Sequence, residues 1–264
     1  MEERALVVSL RNVGKVFGKP GQPQTIALQA IDLDIAPGEF VSLIGPSGCG
    51  KSTLLRLIGD LVTPTTGTVL VNGKSARQAR LDRDYGMVFQ APVLFDWRTV
   101  RHNVELPLEV MNIGRDERAR RADKMLALVE LSEFGQHYPW QLSGGMQQRV
   151  SIARALSFNP AILLMDEPFG ALDEMTRERM NAELLTIWRQ TQTTILFVTH
   201  SIAEAVFLST RVVVMSARPG RMTGAIPIDL PQPRGLDIRA DNRYFGLITA
   251  VRERLSGQSS IREQ

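Results

Sequence analysis

The chain has 264 residues, 44% of them hydrophobic and 22% charged, enough apolar mass to bury a core without disulfides or metals. Its single cysteine, Cys49, excludes an intramolecular disulfide and suits a reducing compartment. A net charge of +3 permits anionic partners without demanding one, so a mixed, solvated surface is expected. Glu2, Glu3 and Arg4 leave the N-terminus without a signal-peptide core, and no apolar run approaches the roughly 20 residues that cross a bilayer, so a soluble or peripheral protein is expected.

Residues 5–10 and 26–35 alternate apolar with polar side chains, the period of half-buried strands, with Gly18, Pro20 and Gly21 marking the turn between them. After a second turn at Pro37-Gly38-Glu39, residues 40–44 read as a buried strand ending at Gly45. A helix is predicted over 51–61, a strand over 68–72 with a hairpin at Asn72-Gly73, and a short strand over 86–90. From 91 to 159 helical periodicity dominates, most clearly over 115–130, where Ala119, Ala122, Met125, Leu126 and Val129 share a face. Apolar runs at 161–165, 194–198 and 212–215 read as buried parallel strands, with a helix over 175–190 between the first two. The proline-bearing tail after Arg218 (Pro219, Pro227, Pro231, Pro233) ends in a predicted helix near 244–255. The rhythm argues an α/β core with a parallel sheet, interrupted by a helical insertion.

Gly45-Pro46-Ser47-Gly48-Cys49-Gly50-Lys51-Ser52 matches the GxxxxGK[ST] phosphate loop and stands in the required strand-to-helix context. Its glycines let successive N–H groups turn inward on phosphate oxygens, and the helix N-terminus adds its positive end. Lys51 is expected to reach the β- and γ-phosphates and Ser52 to ligate Mg²⁺. Cys49 lies inside this loop, which favours a packing role over a reactive one. A second cluster ends the run at 161–165: Asp166 is placed to hold Mg²⁺ and Glu167 to activate a water for in-line attack. Alone, two carboxylates could begin a turn or cap a helix; beside a phosphate loop the catalytic reading wins. Ser143-Gly144-Gly145 makes a plausible helix N-cap and a second anion cradle.

The phosphate loop, Leu142-Ser143-Gly144-Gly145, Asp166-Glu167, Ala171-Leu172-Asp173 and the histidine after a strand resemble, in order and spacing over about residues 5–220, the motif series of ABC (ATP-binding cassette) ATPases. The resemblance implies a P-loop NTPase fold: a RecA-like parallel core with an N-terminal antiparallel β subdomain (1–90 and 160–220), an inserted α-helical subdomain (91–159) and a tail (221–264). It implies a homodimer in which two ATPs are sandwiched head to tail. Lys51 of one subunit and Ser143, Gly144 and Gly145 of the other would then share a γ-phosphate, with the nucleotide also held by Gly45 through Ser52 and by Thr53. By the same resemblance Gln90 senses Mg²⁺ or the attacking water, His200 contacts the γ-phosphate, Asp173 crosses the dimer interface and Phe17 stacks on adenine. Met146 departs from the family pattern, where glutamine is more frequent; activity is expected to survive. His102 and His137 have no ligand partners at metal spacing and are expected to be structural.

The stretches 94–100, 139–143 and 215–221 resemble the importer ATPases of the nitrate, sulfonate and taurine type, a branch that includes importers of pyrimidine precursors. The resemblance implies a peripheral subunit on the cytoplasmic face of the inner membrane. It would bind separate integral-membrane permease subunits through the surface bearing Trp97, for which core packing is the alternative, and serve an extracytoplasmic solute-binding protein indirectly. No nucleic acid partner is expected. Rival readings are a soluble ABC ATPase of DNA repair or translation, a kinase or GTPase on the same loop, and a lipid-handling ABC subunit. The first calls for coiled-coil insertions or tandem cassettes, and the second for an acceptor site or a guanine-reading Asn-Lys-x-Asp; none is present in the sequence.

Overall fold

In a computed structural model of the chain, residues 6–18, 21, 23–232 and 234–256 are described. β1 (Val8–Phe17) and β2 (Thr25–Ile35) pair antiparallel. β3 (Phe40–Ile44) enters a different sheet and leads through the Gly-rich loop into α1 (Lys51–Ile58). The chain returns to the first sheet as β4 (Thr66–Val71) and β5 (Lys74–Ser75), joined through Asn72 and Gly73 at φ +53° and +72°, the left-handed pair that a tight hairpin turn requires. α2 (Ala76–Leu81) leads to β6 (Tyr85–Val88), and then α3 (Val100–Val110), α4 (Arg115–Leu128) and α5 (Gly144–Leu156) pack on one another. β7 (Ile162–Asp166), α6 (Glu174–Thr191), β8 (Thr194–Val198), α7 (Ile202–Leu208), β9 (Arg211–Met215), β10 (Met222–Pro227) and α8 (Asn242–Ser256) follow. The first sheet has the order β2-β1-β4-β5 and the second β10-β9-β3-β8-β7-β6, parallel from β9 to β6 with β10 antiparallel at the edge.

The strict alternation of side chains along the parallel strands divides the interior in two. Val41 and Leu43, Ile162 and Leu164, Leu196 and Val198 face the antiparallel sheet and α1, while Phe40 and Ile44, Leu163 and Met165, Ile195 and Phe197 face the helices on the other side. An eight-residue helix is too short to stand alone, since isolated helices need about 12–15 residues. α1 holds because Leu54, Leu55, Leu57 and Ile58 are fully buried, each contributing about 1.5–3 kcal/mol. Burying one helix this completely fixes the loop before it, whose residues Ser47, Gly48 and Gly50 line a cleft.

The expected α/β architecture is present, with several boundaries moved. β1 runs well past residue 10, because Asn12 at φ +50° sits among register shifts that bulge the strand and break its alternation. α1 stops at Ile58, before Gly59, rather than at residue 61. β6 ends at Val88, so Gln90 lies beyond the strand and not at its end. α2, α7 and β10 were not expected; α2 and α7 are six and seven residues long, too brief to show a helical period. The tail is bound into the fold: Arg234 donates through Nη1 to Val206, Phe207 and Ser209 carbonyls at 3.2, 2.9 and 2.8 Å, capping the C-terminal end of α7. Burial pushes this guanidinium down to about 10. Tyr244 Oη donates to Ala203 O at 2.8 Å. Among the residues named from sequence, 1–5, Pro20, Pro233 and the end of the tail, 257–264, lie outside the described residues. Among the described residues no helix is long and apolar enough to cross a membrane.

Candidate functional site

β3, β8 and β7 are adjacent and parallel, so their carboxyl ends deliver three segments to one edge of the sheet: the phosphate loop, Thr199-His200 and Asp166-Glu167. The loop curls through Gly48 and Gly50 at φ +72° and +102°, a backbone that a side chain would strain. Gly50 is the N-cap of α1 and supplies no side-chain acceptor, so the helix's first amides are left to an external anion. Lys51 is only 6% exposed, and its Nζ donates to the carbonyls of Gly45 at 2.8 Å and Pro46 at 3.2 Å. The ammonium is thus held by the loop's own carbonyls. Cys49 is fully buried and burial pushes its thiol up, in keeping with packing rather than reactivity.

Ser52 Oγ donates to Asp166 Oδ1 at 2.8 Å, joining the start of α1 to the end of β7. Burial pushes the Asp166 carboxyl up, against the opposing Ser52 hydrogen bond. Glu167 is left-handed at φ +48°, an uncommon state for a side-chain-bearing residue, costing of order 1 kcal/mol. Its N–H donates to Val198 O at 3.0 Å and its carbonyl accepts from Gly170 N at 3.0 Å, which hold the twist. The twist brings Glu167 Oε2 within 3.5 Å of His200 Nδ1. Glu167, His200, Ser47, Gly48, Gly50, Lys51, Ser52 and Thr53 line a cleft of about 410 Å³ whose far end is formed by Phe17, Thr25 and Ala27. Phe17 is 42% exposed, and Lys15 Nζ stands 5.0 Å from its ring centroid.

The ABC transporter family profile matches residues 28–170, more than half of the chain. The chain belongs to the ABC transporter family. Its relatives include the nitrate import ATP-binding protein NrtD of Synechocystis, 44% identical over 260 residues and 96% of each chain. The taurine import ATP-binding protein TauB of Mesorhizobium japonicum is 48% identical over 202 residues, 76% of this chain and 77% of that one. Among solved structures, a dimeric ATP-binding cassette in a post-hydrolysis state with ADP and Pi superposes with a TM-score of 0.71 at 38% identity, covering 87% of this chain and all of that one. The protein is therefore an ATP hydrolase with the ABC ATPase fold.

In this ABC ATPase the remaining sequence-predicted residues stand apart from the cleft. Ser143 is the N-cap of α5, its Oγ accepting from Met146 N at 3.3 Å; Ser143 and Gly144 are exposed while Gly145 is buried. A Cβ on Gly145 would lie 3.2 Å from Thr176 Cγ2, so the signature turn packs against the start of α6. Asp173 caps that helix by accepting from Thr176 N at 3.0 Å, a bond that holds its carboxyl below the usual range. Neither Ser143, Gly144, Gly145 nor Asp173 lines the cleft of its own chain. Gln90 lies over the turn after Glu167, its Nε2 3.2 Å from where a Cβ on Gly170 would be. Among the described residues no cluster of three or more His, Cys, Asp or Glu could hold a metal by itself. Trp97 is 74% exposed, which decides against core packing.

Several residues of the site were not expected. Arg218 lines the cleft, and its Nη2 donates to Gly48 O at 3.3 Å. Arg154 of α5 donates to the carbonyls of Val93 at 2.7 Å and Pro92 at 2.9 Å, and Gln148 to Phe89 O at 2.9 Å, so the signature helix grips both sides of Gln90. Behind His200, the buried Glu204 accepts from Thr199 Oγ1 at 2.5 Å, and burial pushes its carboxyl up. No local motif announces any of them, because each acts through a distant backbone carbonyl or a buried side chain.

Proposed function

We propose that this chain is the ATP-hydrolysing motor of a bacterial-type importer for a small solute, working as a head-to-tail homodimer on integral-membrane permease subunits. One observation carries the reading: Lys51, Ser52, Glu167 and His200 converge on one cleft, while Ser143 and Gly144 are exposed elsewhere on the same chain. A second copy turned head to tail brings that exposed turn to the mouth of the cleft, where its amides complete the cradle for the γ-phosphate. The dimeric state of the related ADP–Pi cassette supports this. In this assembly Asp173 lies at the interface, Phe17 stacks on adenine, and Gly45 through Thr53 wrap the phosphates.

Glu167 takes the proton of the attacking water, and His200 and the trans Ser143 turn hold the γ-phosphate in line. Ser52 Oγ and Asp166 Oδ1, hard oxygens 2.8 Å apart at the cleft floor, fit Mg²⁺, with Gln90 as a further oxygen donor near Glu167. Bound with the triphosphate, Mg²⁺ supplies charge neutralisation. Residues 91–159 are read as the helical subdomain, set against a core of 1–90 and 160–220 and the tail. Trp97, exposed and packed against the Phe95 ring, offers an apolar anchor for a permease segment. Import is supported by the nitrate and taurine import ATP-binding relatives; on this reading the subunit works at the cytoplasmic face of the membrane, with an extracytoplasmic binding protein upstream. Glu167→Gln tests the reading: hydrolysis is expected to fall at least about 100-fold while ATP stays bound and the chain elutes as a dimer. Brisk turnover by that variant would remove Glu167 from its role.

A further inference from the structure

One part of the cleft wall carries none of the residues assigned a role above, although it lies within the stretch 215–221 on which the importer resemblance partly rests. It is the turn between β9 and β10, residues 216–221, and it is built against the nucleotide loop. Gly220 N donates to Ala27 O at 2.9 Å and Gly220 O accepts from Gln29 N at 2.9 Å, stitching the turn to β2. A Cβ at Gly220 would run into the Cys49 carbonyl, so only glycine allows the two backbones to lie this close. Ser216 closes the turn from within: its Oγ donates to Pro219 O at 3.1 Å and accepts from Arg221 N at 3.0 Å. The residue this frame presents to the cleft is Arg218, exposed, with Nη2 3.3 Å from Gly48 O.

We propose that Arg218 is a nucleotide-binding residue, a second cation beside Lys51 whose guanidinium donates to the polyphosphate of ATP and ADP from the outer side of the loop. The inference rests on the ATP-binding reading of the cleft. A guanidinium is a planar fork of N–H donors matched to phosphate oxygens, and it holds its charge at any working pH. Its bond to Gly48 aims it at the loop whose amides face the phosphates, and the stitched turn removes the backbone freedom that an arginine on an open loop would lose on binding. Lys51 starts buried and bonded to carbonyls within the loop; Arg218 starts exposed and bonded to the loop from the β9–β10 turn. The two cations would therefore grip the polyphosphate from different segments of the chain.

The test is equilibrium binding of ATP, ADP and AMP, without turnover in EDTA, to wild type, Arg218→Ala and Arg218→Lys at several salt concentrations, with thermal melting to confirm folding. Arg218→Ala is expected to weaken ATP and ADP about tenfold and AMP less than about twofold, with a flatter salt dependence; lysine recovers part of the loss. Equal weakening of all three nucleotides with an unchanged salt slope would assign Arg218 to loop shape alone and overturn the proposal. So would unaltered binding by both variants. If alanine unfolds the chain, the lysine variant decides: it must still weaken ATP and ADP more than AMP. Failure of wild type to bind ATP at all would instead sink the reading of the cleft on which this proposal stands.

Discussion

The phosphate loop and the signature turn are both Gly-rich anion cradles at helix starts, yet the chain treats them in opposite ways. The first is enclosed: its lysine is bonded to its own carbonyls, its serine to Asp166, and its cysteine fully buried. The second is capped only by Ser143 and faces outward. On the proposed head-to-tail reading, a cradle that closes on the partner's ligand has to remain open, whereas one that stores its ligating groups can be prebuilt. The sharpest way to break the comparison is to damage each cradle separately. Lys51→Ala and Gly144→Asp are each expected to lower hydrolysis at least about 100-fold. Gly144 has room for the side chain, its nearest neighbour to a Cβ being Leu172 Cδ2 at 3.7 Å, so the added carboxylate acts by repelling phosphate. Mixing the two variants should restore about a quarter of wild-type turnover, because half of the dimers are mixed and each of those keeps one undamaged composite site. No recovery on mixing would place both cradles in service of the same chain.

A smaller effect probes how the enclosed half is braced. Thr199 Oγ1 donates to Glu204 and accepts from Ser201 N at 3.0 Å, so both neighbours of His200 in the chain are pinned to one hydroxyl. Thr199→Val keeps the volume and removes both bonds. kcat is expected to fall about tenfold with ATP affinity within about twofold, and Thr199→Ser should restore it. Equal loss of affinity and rate would mean that the hydroxyl serves the whole cleft and not the histidine.

The two halves were also unequally legible. Gly45 through Ser52 and Asp166-Glu167 could be read because each is a contiguous run whose chemistry needs those residues at that spacing, between strands apolar enough to be unmistakable. Ser143 could be read as a cap, but its exposure could not, since facing outward is a property of packing. The braces escaped entirely. Arg218, Arg154 and Glu204 find their partners 170, 61 and 5 residues away, through carbonyls and hydroxyls that every sequence possesses. The alternation reads β1 only to residue 10, because a bulge at Asn12 resets it, and β10 is not legible at all, because a six-residue edge strand holding Gly224 and Pro227 carries too little pattern.

The smallest expected effect bears on the departure within the exposed cradle itself. Met146 occupies the position after Gly145 where glutamine would offer a polar amide, and the question is whether the turn needs it. Its backbone N–H is the group that Ser143 Oγ caps at 3.3 Å, a bond any residue there would make. Its side chain is partly buried against the helical core, so it turns toward the interior and away from the face a partner's nucleotide would meet. Met146→Gln should therefore alter hydrolysis by less than about twofold, while trading apolar contact for an amide costs about 1 kcal/mol or less of stability, read as a small drop in Tm. A several-fold gain in turnover would mean that the side chain does reach the composite site, and that the signature's work is shared beyond the serine and the two glycines.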